Sequence, residues 1–316
     1  MKVQRFNDSI DSPALLAATA PEPQPGRGEV LIRVHAAGVT PAELSWYPTT
    51  HTPKGEKRSG AVPGHEFSGV IVATGELVDS ALVGQEVFGM NDWFAEGATA
   101  EYCLSQPEQL APKPARLSHA EAAAVPIGAL TAWQGLISRA KVQTGERVLI
   151  HGGAGAVGVF AVQLARRAGA HVIATASARH TEFLQKLGAN EVIDYRSGQF
   201  EEMLRGSINV VFDAVGGETL AKSWSTLRPS GRLVTISSVG EATQDERTKA
   251  AFFIVEPNRE QLTEIAGLLE RGELQVFVDA VAPLAEASAA YRAVIPRPNG
   301  YGKVVIEVAD GVAASE

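Results

Sequence analysis

Six residues near the middle of the chain have the spacing of a phosphate-binding turn. They form the pattern G-x-G-x-x-G and are Gly153, Ala154, Gly155, Ala156, Val157 and Gly158. The pattern follows the apolar run 147–151 and opens a segment whose apolar residues recur with helical period. In such a strand–turn–helix unit, glycines let a pyrophosphate approach the amino end of the helix. We therefore predict that this turn binds a dinucleotide through Gly153, Gly155, Ala156, Val157 and Gly158; the alternative is a turn that holds nothing.

The residues after the next apolar run bear on which dinucleotide is bound. Ser177 lies 19 residues beyond Gly158 and is followed by Ala178 and Arg179. An acidic residue at this point favours NAD, whereas a hydroxyl and a guanidinium can bind the 2′-phosphate of NADP. The sequence thus favours NADPH, unless Arg179 is only a surface charge. Tyr195, at the end of the following run, either reaches the same adenosine or is a half-buried aromatic.

Apolar runs and helical segments alternate around this turn. Strands are predicted at 147–151, 171–176, 191–195, 209–215, 231–237 and 251–255. Helices are predicted at 157–168, 180–187, 218–227 and 259–271. This succession is typical of an α/β fold with a doubly wound parallel sheet.

The N-terminal third has a different pattern. Val30, Ile32 and Val34 alternate with other side chains, and residues 67–74 form a second extended run, as expected of β-strands. Ser118 and Glu121 have the spacing of a capping box, which predicts a helix that Pro126 closes. We place a domain boundary near Ser118. Residues 277–308 return to short strands around one helix.

Composition excludes several classes of protein. The 316 residues are 45% apolar and 20% charged, with a net charge of −8, so disorder is excluded and a nucleic-acid partner is not expected. The most apolar stretch, 122–133, is shorter than the ~20 residues that span a membrane. The first residues lack the apolar region of a secretion signal, and a single cysteine forms no internal disulfide. A cytoplasmic location is expected.

Several motifs in order resemble the medium-chain dehydrogenase/reductase superfamily, specifically its zinc-free quinone oxidoreductase branch. The motifs are 28–34 (GEVLIRV), 36–39 (AAGV), 63–70 (PGHEFSGV), 128–133 (GALTAW), 151–158 (HGGAGAVG) and 302–305 (GKVV). The resemblance implies a GroES-like β domain made of residues 1–117 and 276–316. It implies a Rossmann domain that binds NADPH over residues 118–275, and a homodimer.

The resemblance also bears on metal. Zinc enzymes of this superfamily have a Cys after the Gly-Val of the first domain, a His in Gly-His-Glu and a four-Cys lobe. Here Thr40 follows Gly38-Val39, the lobe is absent, and Cys103 is the only cysteine. His65 and Glu66 remain, but two ligands do not meet the three that a catalytic zinc requires. No metal is expected.

Without a Lewis acid, hydride transfer suits an acceptor that is already electron-poor. The resemblance implies a quinone as this small-molecule acceptor. The alternatives are an activated C=C bond in enones, alkenals or acrylate-like compounds, and a low-turnover NADPH-binding sensor or structural protein. The intact glycine turn predicts NADPH binding under all three hypotheses, so turnover distinguishes them.

The resemblance suggests residues for this chemistry. Thr131 matches the Thr that contacts the nicotinamide end of the cofactor. Thr40 stands where many relatives have Asn, and it is expected to hold a ribose or acceptor oxygen. Tyr47 is the candidate acid and Trp46 a platform for a planar substrate. The alternatives are that Trp46 and Tyr47 only form a rim, and that water supplies the proton.

Three further positions are predicted near the cofactor and substrate. Val215 belongs to the turn 213–217, and Ser237 ends the next strand, where backbone groups line the nicotinamide pocket in relatives. Ordinary turn roles for Asp213 and Ser237 remain the alternative. Phe253 is predicted to border the substrate from the strand 251–255, whose edge would pair across a homodimer.

Overall fold

The computed structural model describes residues 1–7, 14–196, 198–237 and 245–308. The chain divides into two compact units, one formed by Met1–Ile127 with Glu256–Glu316 and the other by Gly128–Val255. The predicted boundaries were 117/118 and 275/276, so the division falls ten residues later and twenty earlier. Both shifts have the same reason: the helices that follow Ser118 and Asn258 pack on strands of the first unit.

Within the described residues, the first unit begins with seven strands and two short helices. They are β1 Lys2–Asn7, β2 Ala14–Thr19, β3 Val30–Gly38, α1 Tyr47–Thr50, β4 Glu66–Thr74, β5 Glu86–Met90, β6 Tyr102–Ser105, β7 Leu110–Pro112 and α2 His119–Ala123. The predicted alternation in β3 is confirmed, because Val30, Ile32 and Val34 are all fully buried. They pack with Phe67 and Ile71 of β4 in one hydrophobic cluster.

Helix α2 begins with the predicted capping box. The Ser118 hydroxyl accepts the Glu121 N–H at 3.2 Å, and the Glu121 carboxylate accepts the Ser118 N–H at 2.8 Å. The helix ends at Ala123 rather than at Pro126. Pro126 instead begins α3, Pro126–Trp133. The first N–H groups of a helix have no partner within it, so a proline there costs no hydrogen bond.

The second unit alternates strands and helices. After α3 and a π-helical segment at Gln134–Arg139 come β8 Arg147–His151, α4 Gly158–Arg167, β9 His171–Ala176, α5 Thr181–Leu187, β10 Glu191–Asp194, α6 Phe200–Met203, β11 Ile208–Asp213, α7 Gly217–Ser223, β12 Leu227–Thr235 and α8 Glu246–Ala251. The strands form one parallel sheet in the order β10-β9-β8-β11-β12. The predicted doubly wound parallel sheet is confirmed, and Val148, Leu149 and Ile150 of the central strand are fully buried.

The predicted strand at 251–255 is wrong. Ala251 is the last residue of α8, whose amino end is capped by the Asp245 carboxylate. Only Phe252 then forms a single parallel bridge, to Thr235 of β12. The segment is too short to continue as a strand because Pro257 lacks an N–H and restricts the residue before it.

The chain then returns to the first unit. It forms α9 Arg259–Glu270, β13 Val278–Pro283, α10 Ala287–Tyr291 and β14 Lys303–Glu307. Strand β14 pairs antiparallel with β3, so that Val305 lies opposite Gly38 and Ile306 opposite Ala37. The sheet order is β13-β14-β3-β4-β5-β7, with β6 also beside β3. This closure confirms a GroES-like β region that is completed from the C-terminal part of the chain. Within the ranges that the structure describes, no helix is long and apolar enough to cross a membrane.

Candidate active site

The glycine turn of the second unit lies between β8 and α4, as predicted. Gly153 N–H donates to the Thr175 carbonyl at 3.0 Å, which ties the turn to β9. A Cβ on Gly158 would lie 2.1 Å from the Gly152 carbonyl oxygen, so this glycine is required by packing. A Cβ on Gly155 would meet only that oxygen, at 3.3 Å, and Gly155 is exposed. The open space beside Gly155 and the partial exposure of Ala156 and Val157 leave the turn accessible just before α4, and its contact with a pyrophosphate stays a prediction.

A buried histidine beneath this turn was not predicted. His151 Nδ1 is 3.0 Å from the Thr175 hydroxyl, and its Nε2 is 2.9 Å from the Ser223 hydroxyl. Because the Ser223 hydroxyl donates to the Thr219 carbonyl at 2.6 Å, it accepts from Nε2–H. Burial lowers the pKa of His151 to about 4, despite the opposing effect of Asp213. A neutral His151 therefore links β8, β9 and α7.

The predicted adenosine-binding residues follow two neighbouring strands. Asp194 lies opposite Ala176 in the β9–β10 pair, so Ser177 and Tyr195 leave the sheet side by side. Arg179 is exposed. Tyr195 is 57% exposed, and the Arg196 guanidinium lies 5.6 Å from the centre of its ring. Two cations thus follow these strands, of which the sequence had indicated only Arg179.

Asp213 organises the turn after β11. Its carboxylate accepts the N–H groups of Val215 at 3.2 Å and Gly216 at 3.1 Å, and the Thr235 hydroxyl at 2.7 Å. The side chain of Val215 remains 54% exposed. Ser237 lies close to Gly216, because a Cβ added there would be 1.9 Å from the Ser237 hydroxyl oxygen. Gly216 and Ser237 are therefore neighbours, and Asp213 makes the hydrogen bonds of an ordinary turn. The predicted cofactor contacts of Val215 and Ser237 stay predictions.

Thr131 and Phe253 are both buried within the second unit. Thr131 is on α3 with 2% exposure, and Phe253 has 3%. The Arg139 guanidinium lies 4.8 Å from the centre of the Phe253 ring. The predicted contacts of Thr131 with nicotinamide and of Phe253 with substrate stay predictions.

The first unit contains a buried network around Thr40. Lys303 at the start of β14 forms an ion pair with Glu66 of β4, and both side chains are buried. The ammonium of Lys303 also donates to the Thr40 hydroxyl at 2.9 Å. The second Glu66 oxygen accepts the N–H of Ile127 at 2.9 Å. A side chain at Gly38 would collide with Glu66, since a Cβ would lie 2.6 Å from the carboxyl.

A second buried pair lies next to this network. His65 Nδ1 is in contact with the Glu43 carboxylate, which also accepts the Gly64 N–H at 2.8 Å. Burial alone would lower the pKa of His65, but the charge and hydrogen bond of Glu43 outweigh it, and the pKa lies above its ordinary value. Burial raises the pKa of Glu66, which Lys303 and the Ile127 N–H counteract in part. Glu43 and Lys303 had not been singled out from the sequence because their partners are distant along the chain.

Aromatic side chains gather on the segment that follows Thr40. The Trp46 ring packs edge-on against Trp93, with centroids 4.9 Å apart, and Trp93 also contacts His65. The Tyr47 ring stacks on His51 at 4.5 Å and is 54% exposed. The structure therefore brings the predicted Trp46 against Trp93, which no sequence pattern had indicated, whereas Tyr47 stacks on His51.

Two family models match most of the chain. One, described as "Alcohol dehydrogenase GroES-like domain", matches residues 26–130. The other, described as "Zinc-binding dehydrogenase", matches residues 187–306. The "Probable zinc-binding oxidoreductase, mitochondrial" of Arthroderma benhamiae is 31% identical over 96% of both chains. The chain belongs to the medium-chain dehydrogenase/reductase superfamily.

Other members of the superfamily are similar over most of their length. The "NAD(P)H oxidoreductase RTN4IP1, mitochondrial" of Homo sapiens is 31% identical over 89% of this chain and 82% of its own. The structure of the quinone oxidoreductase from Coxiella burnetii matches with a TM-score of 0.86 and 28% identity over 98% and 99% of the two chains. The structure of CurK enoyl reductase matches with 0.81 and 30% over the same shares. This medium-chain protein is thus an oxidoreductase of the quinone oxidoreductase and enoyl reductase family, with NAD(P)H-dependent homologues.

Some members of the superfamily bind zinc, but the corresponding residues of this chain are engaged in other contacts. His65 Nδ1 contacts Glu43, and its Nε2 lies 3.3 Å from the Ala95 carbonyl. Glu66 is engaged by Lys303 and Ile127, and Thr40 replaces a thiolate. No group of three or more His, Cys, Asp or Glu side chains that could hold a metal occurs in the described part of the chain. The residues do not fit a catalytic zinc.

The two glycines of the turn give a first prediction. Gly155→Ala should cost no more than about 1 kcal/mol of unfolding free energy while weakening NADPH binding at least ~10-fold, because its methyl group occupies the pyrophosphate space. Gly158→Ala should cost about 3 kcal/mol, because its methyl group meets backbone. Urea denaturation and fluorescence titration with NADPH measure both effects. Equal losses of stability in the two variants would contradict a packing role for Gly158 and open space beside Gly155.

The His65–Glu43 pair gives a second prediction. A pKa raised by folding means that the pair stabilises the protein below about pH 6.5 and that this contribution is lost as the pH rises through the higher, folded-state pKa. Glu43→Gln should therefore destabilise the protein more at about pH 6 than at about pH 8.5. Urea denaturation at both pH values gives the difference. Glu202→Gln, which removes an exposed partner of Arg205, is the control, and a pH-independent cost of Glu43→Gln would refute the pairing.

Proposed function

We propose that this protein is a zinc-independent, NADPH-dependent oxidoreductase that reduces quinones. NADPH, when bound, supplies a hydride, which together with one proton converts a quinone into a hydroquinone and leaves NADP⁺. The protein then has to bind the two reactants, orient them and stabilise the oxygen that gains charge. The proposal assigns the dinucleotide to the second unit and the oxygen of the acceptor to the polar side chains around Thr40.

The preference for NADPH is supported by the loops after β9 and β10. Residues 177–179 contain no carboxylate, and Arg179 and Arg196 follow the two neighbouring strands. A phosphate monoester with about two negative charges is stabilised by such guanidinium groups, whereas an unphosphorylated ribose gains little from them. Ser177 and Tyr195 supply hydroxyl groups at the same place.

The preference for a planar acceptor is supported by the aromatic side chains of the first unit, and this observation carries the quinone proposal. Trp46 and Trp93 are each partly exposed, and their rings are in edge-to-face contact. Partly exposed indole faces favour flat, conjugated molecules through stacking. Tyr47 remains the candidate acid, since it directly follows Trp46 and its ring is exposed.

The second candidate function is reduction of an activated C=C bond. It is favoured by the similarity to an enoyl reductase structure over nearly the full chain. Hydride would then add to the carbon β to a carbonyl, and a proton to the α carbon. Both reactions build negative charge on a carbonyl oxygen, so the same polar side chains serve either.

We further propose that the protein is a homodimer, which light scattering tests.

Turnover gives the decisive test. NADPH oxidation should proceed with a simple quinone in the presence of a chelator, because no set among the described residues fits a zinc. It should be faster with the quinone than with a simple enone. The absorbance of the nicotinamide reports the rate. Faster reduction of the enone would favour the second function. Tight NADPH binding without turnover would support a sensor or structural protein, and restoration of activity only by zinc would overturn the metal-free chemistry.

Arg179 gives a separate test of the cofactor. Arg179→Ala should raise the Kd for NADPH on the order of 10-fold and leave that for NADH within about 2-fold, since only NADPH carries the 2′-phosphate. Arg228→Ala is a matched control, because Arg228 is exposed at the amino end of β12, the opposite edge of the sheet. Equal weakening of both cofactors would contradict the assigned contact.

A further inference from the structure

The contact between Lys303 and Thr40 fixes the direction of a hydrogen bond. An ammonium group carries hydrogens and no lone pair, so it can only donate. In the 2.9 Å contact with Lys303 Nζ, the Thr40 hydroxyl oxygen is therefore the acceptor. The hydrogen of the same hydroxyl points elsewhere. Thr40 is partly exposed, whereas Lys303 is 5% exposed, so the hydroxyl is the accessible end of this pair.

Lys303 is held in place from several directions. Strand β14 pairs with β3, and the Val39 N–H donates to the Val304 carbonyl at 2.9 Å, which joins the residues next to Thr40 and Lys303. Glu66 forms the ion pair with Lys303 and is itself anchored by the Ile127 N–H. An ammonium with this little freedom keeps the hydroxyl oxygen of Thr40 oriented.

The charge of Lys303 also changes the strength of the hydroxyl as a donor. A hydroxyl that accepts a hydrogen bond from a cation is polarised, and its own O–H becomes a stronger donor, more so away from water. An oriented donor contributes most when negative charge develops on the oxygen that it faces. The carbonyl oxygen of a quinone or an enone gains such charge as hydride arrives.

We propose that Lys303 orients and polarises the Thr40 hydroxyl, so that Thr40 donates a hydrogen bond to the carbonyl oxygen of the electron acceptor. Lys303 is then a positioning residue, and Glu66 holds it. This inference rests on the proposed reductase function and adds to it the group that stabilises the charged oxygen. It also gives a reason for Thr at a position where Cys would serve a metal.

Substitutions at Thr40 test the first half of this proposal. Thr40→Val removes the hydroxyl at nearly constant volume and should lower kcat on the order of 10²-fold, the usual effect of losing one such donor. Thr40→Ser should stay within about 3-fold of the wild type, and the Kd for NADPH should change in neither variant. Thr263→Val, on the exposed side of α9, is the control for the substitution itself. A fully active Thr40→Val would overturn the proposal.

A double-mutant cycle tests the role of Lys303. Lys303→Met combined with Glu66→Gln removes both buried charges together, and kcat should fall on the order of 10-fold or more. Adding Thr40→Val should then lower kcat by a far smaller factor than it does in the wild type, because an unpolarised and unoriented hydroxyl contributes little. A purely structural role for Lys303 predicts additive losses instead. Lys186→Met with Glu182→Gln is the matched control on an exposed ion pair.

Two further comparisons, of Lys303→Gln and of the wild type with Thr40→Val, separate failure of this inference from failure of the proposed function. Lys303→Gln retains a donor for Thr40 but removes the charge, so its kcat should lie between those of the wild type and the charge-free variant; wild-type activity would refute the polarisation, even if the double variant failed to fold. NADPH binding and urea denaturation verify that each variant is folded. Failure of the wild type to turn over would refute the reductase function, whereas an active wild type with an equally active Thr40→Val would refute only this inference.

Discussion

The buried ion pair between Lys303 and Glu66 is the constraint on which the first unit depends. Two charges withdrawn from water are costly unless they are paired closely and hydrogen-bonded. That pairing requires β14 to lie beside β3 in a single register, because only then does the start of β14 meet Glu66 of β4. The register with which a distant part of the chain closes the sheet and the environment of Thr40 are thus coupled through this contact.

The second unit satisfies its buried polar side chains with backbone N–H and hydroxyl partners. A neutral His151, held between two hydroxyl groups, lies beneath the glycine turn. Burial keeps the pKa of this histidine at about 4. Asp213, nearby, is satisfied by two backbone N–H groups and one hydroxyl. The exposed Arg179 and Arg196 follow β9 and β10 at the same edge of this sheet and are the candidate source of positive charge for an adenosine phosphate.

The sequence predicted the features that depend on neighbours along the chain. Strands of the parallel sheet, the capping box at Ser118 and the glycine turn all follow from local periodicity and turn chemistry. It failed at 251–255, where an apolar run resembled a strand but a capped helix and Pro257 left one bridging residue. It also could not indicate Lys303, Glu43 or Trp93. Their roles arise from contacts between distant segments, the longest of which joins residues 263 positions apart.

A single-turnover measurement tests directly whether this protein transfers hydride to an acceptor without a metal. Chelator-treated protein loaded with NADPH deuterated at the transferred position of C4 would be mixed with a quinone, and the decay of the nicotinamide absorbance compared with that of unlabelled NADPH. We expect complete oxidation of the bound NADPH in one turnover, at a rate that deuterium lowers. Absence of oxidation until zinc is added, or oxidation at the same rate with both cofactors even when the acceptor is saturating, would contradict it.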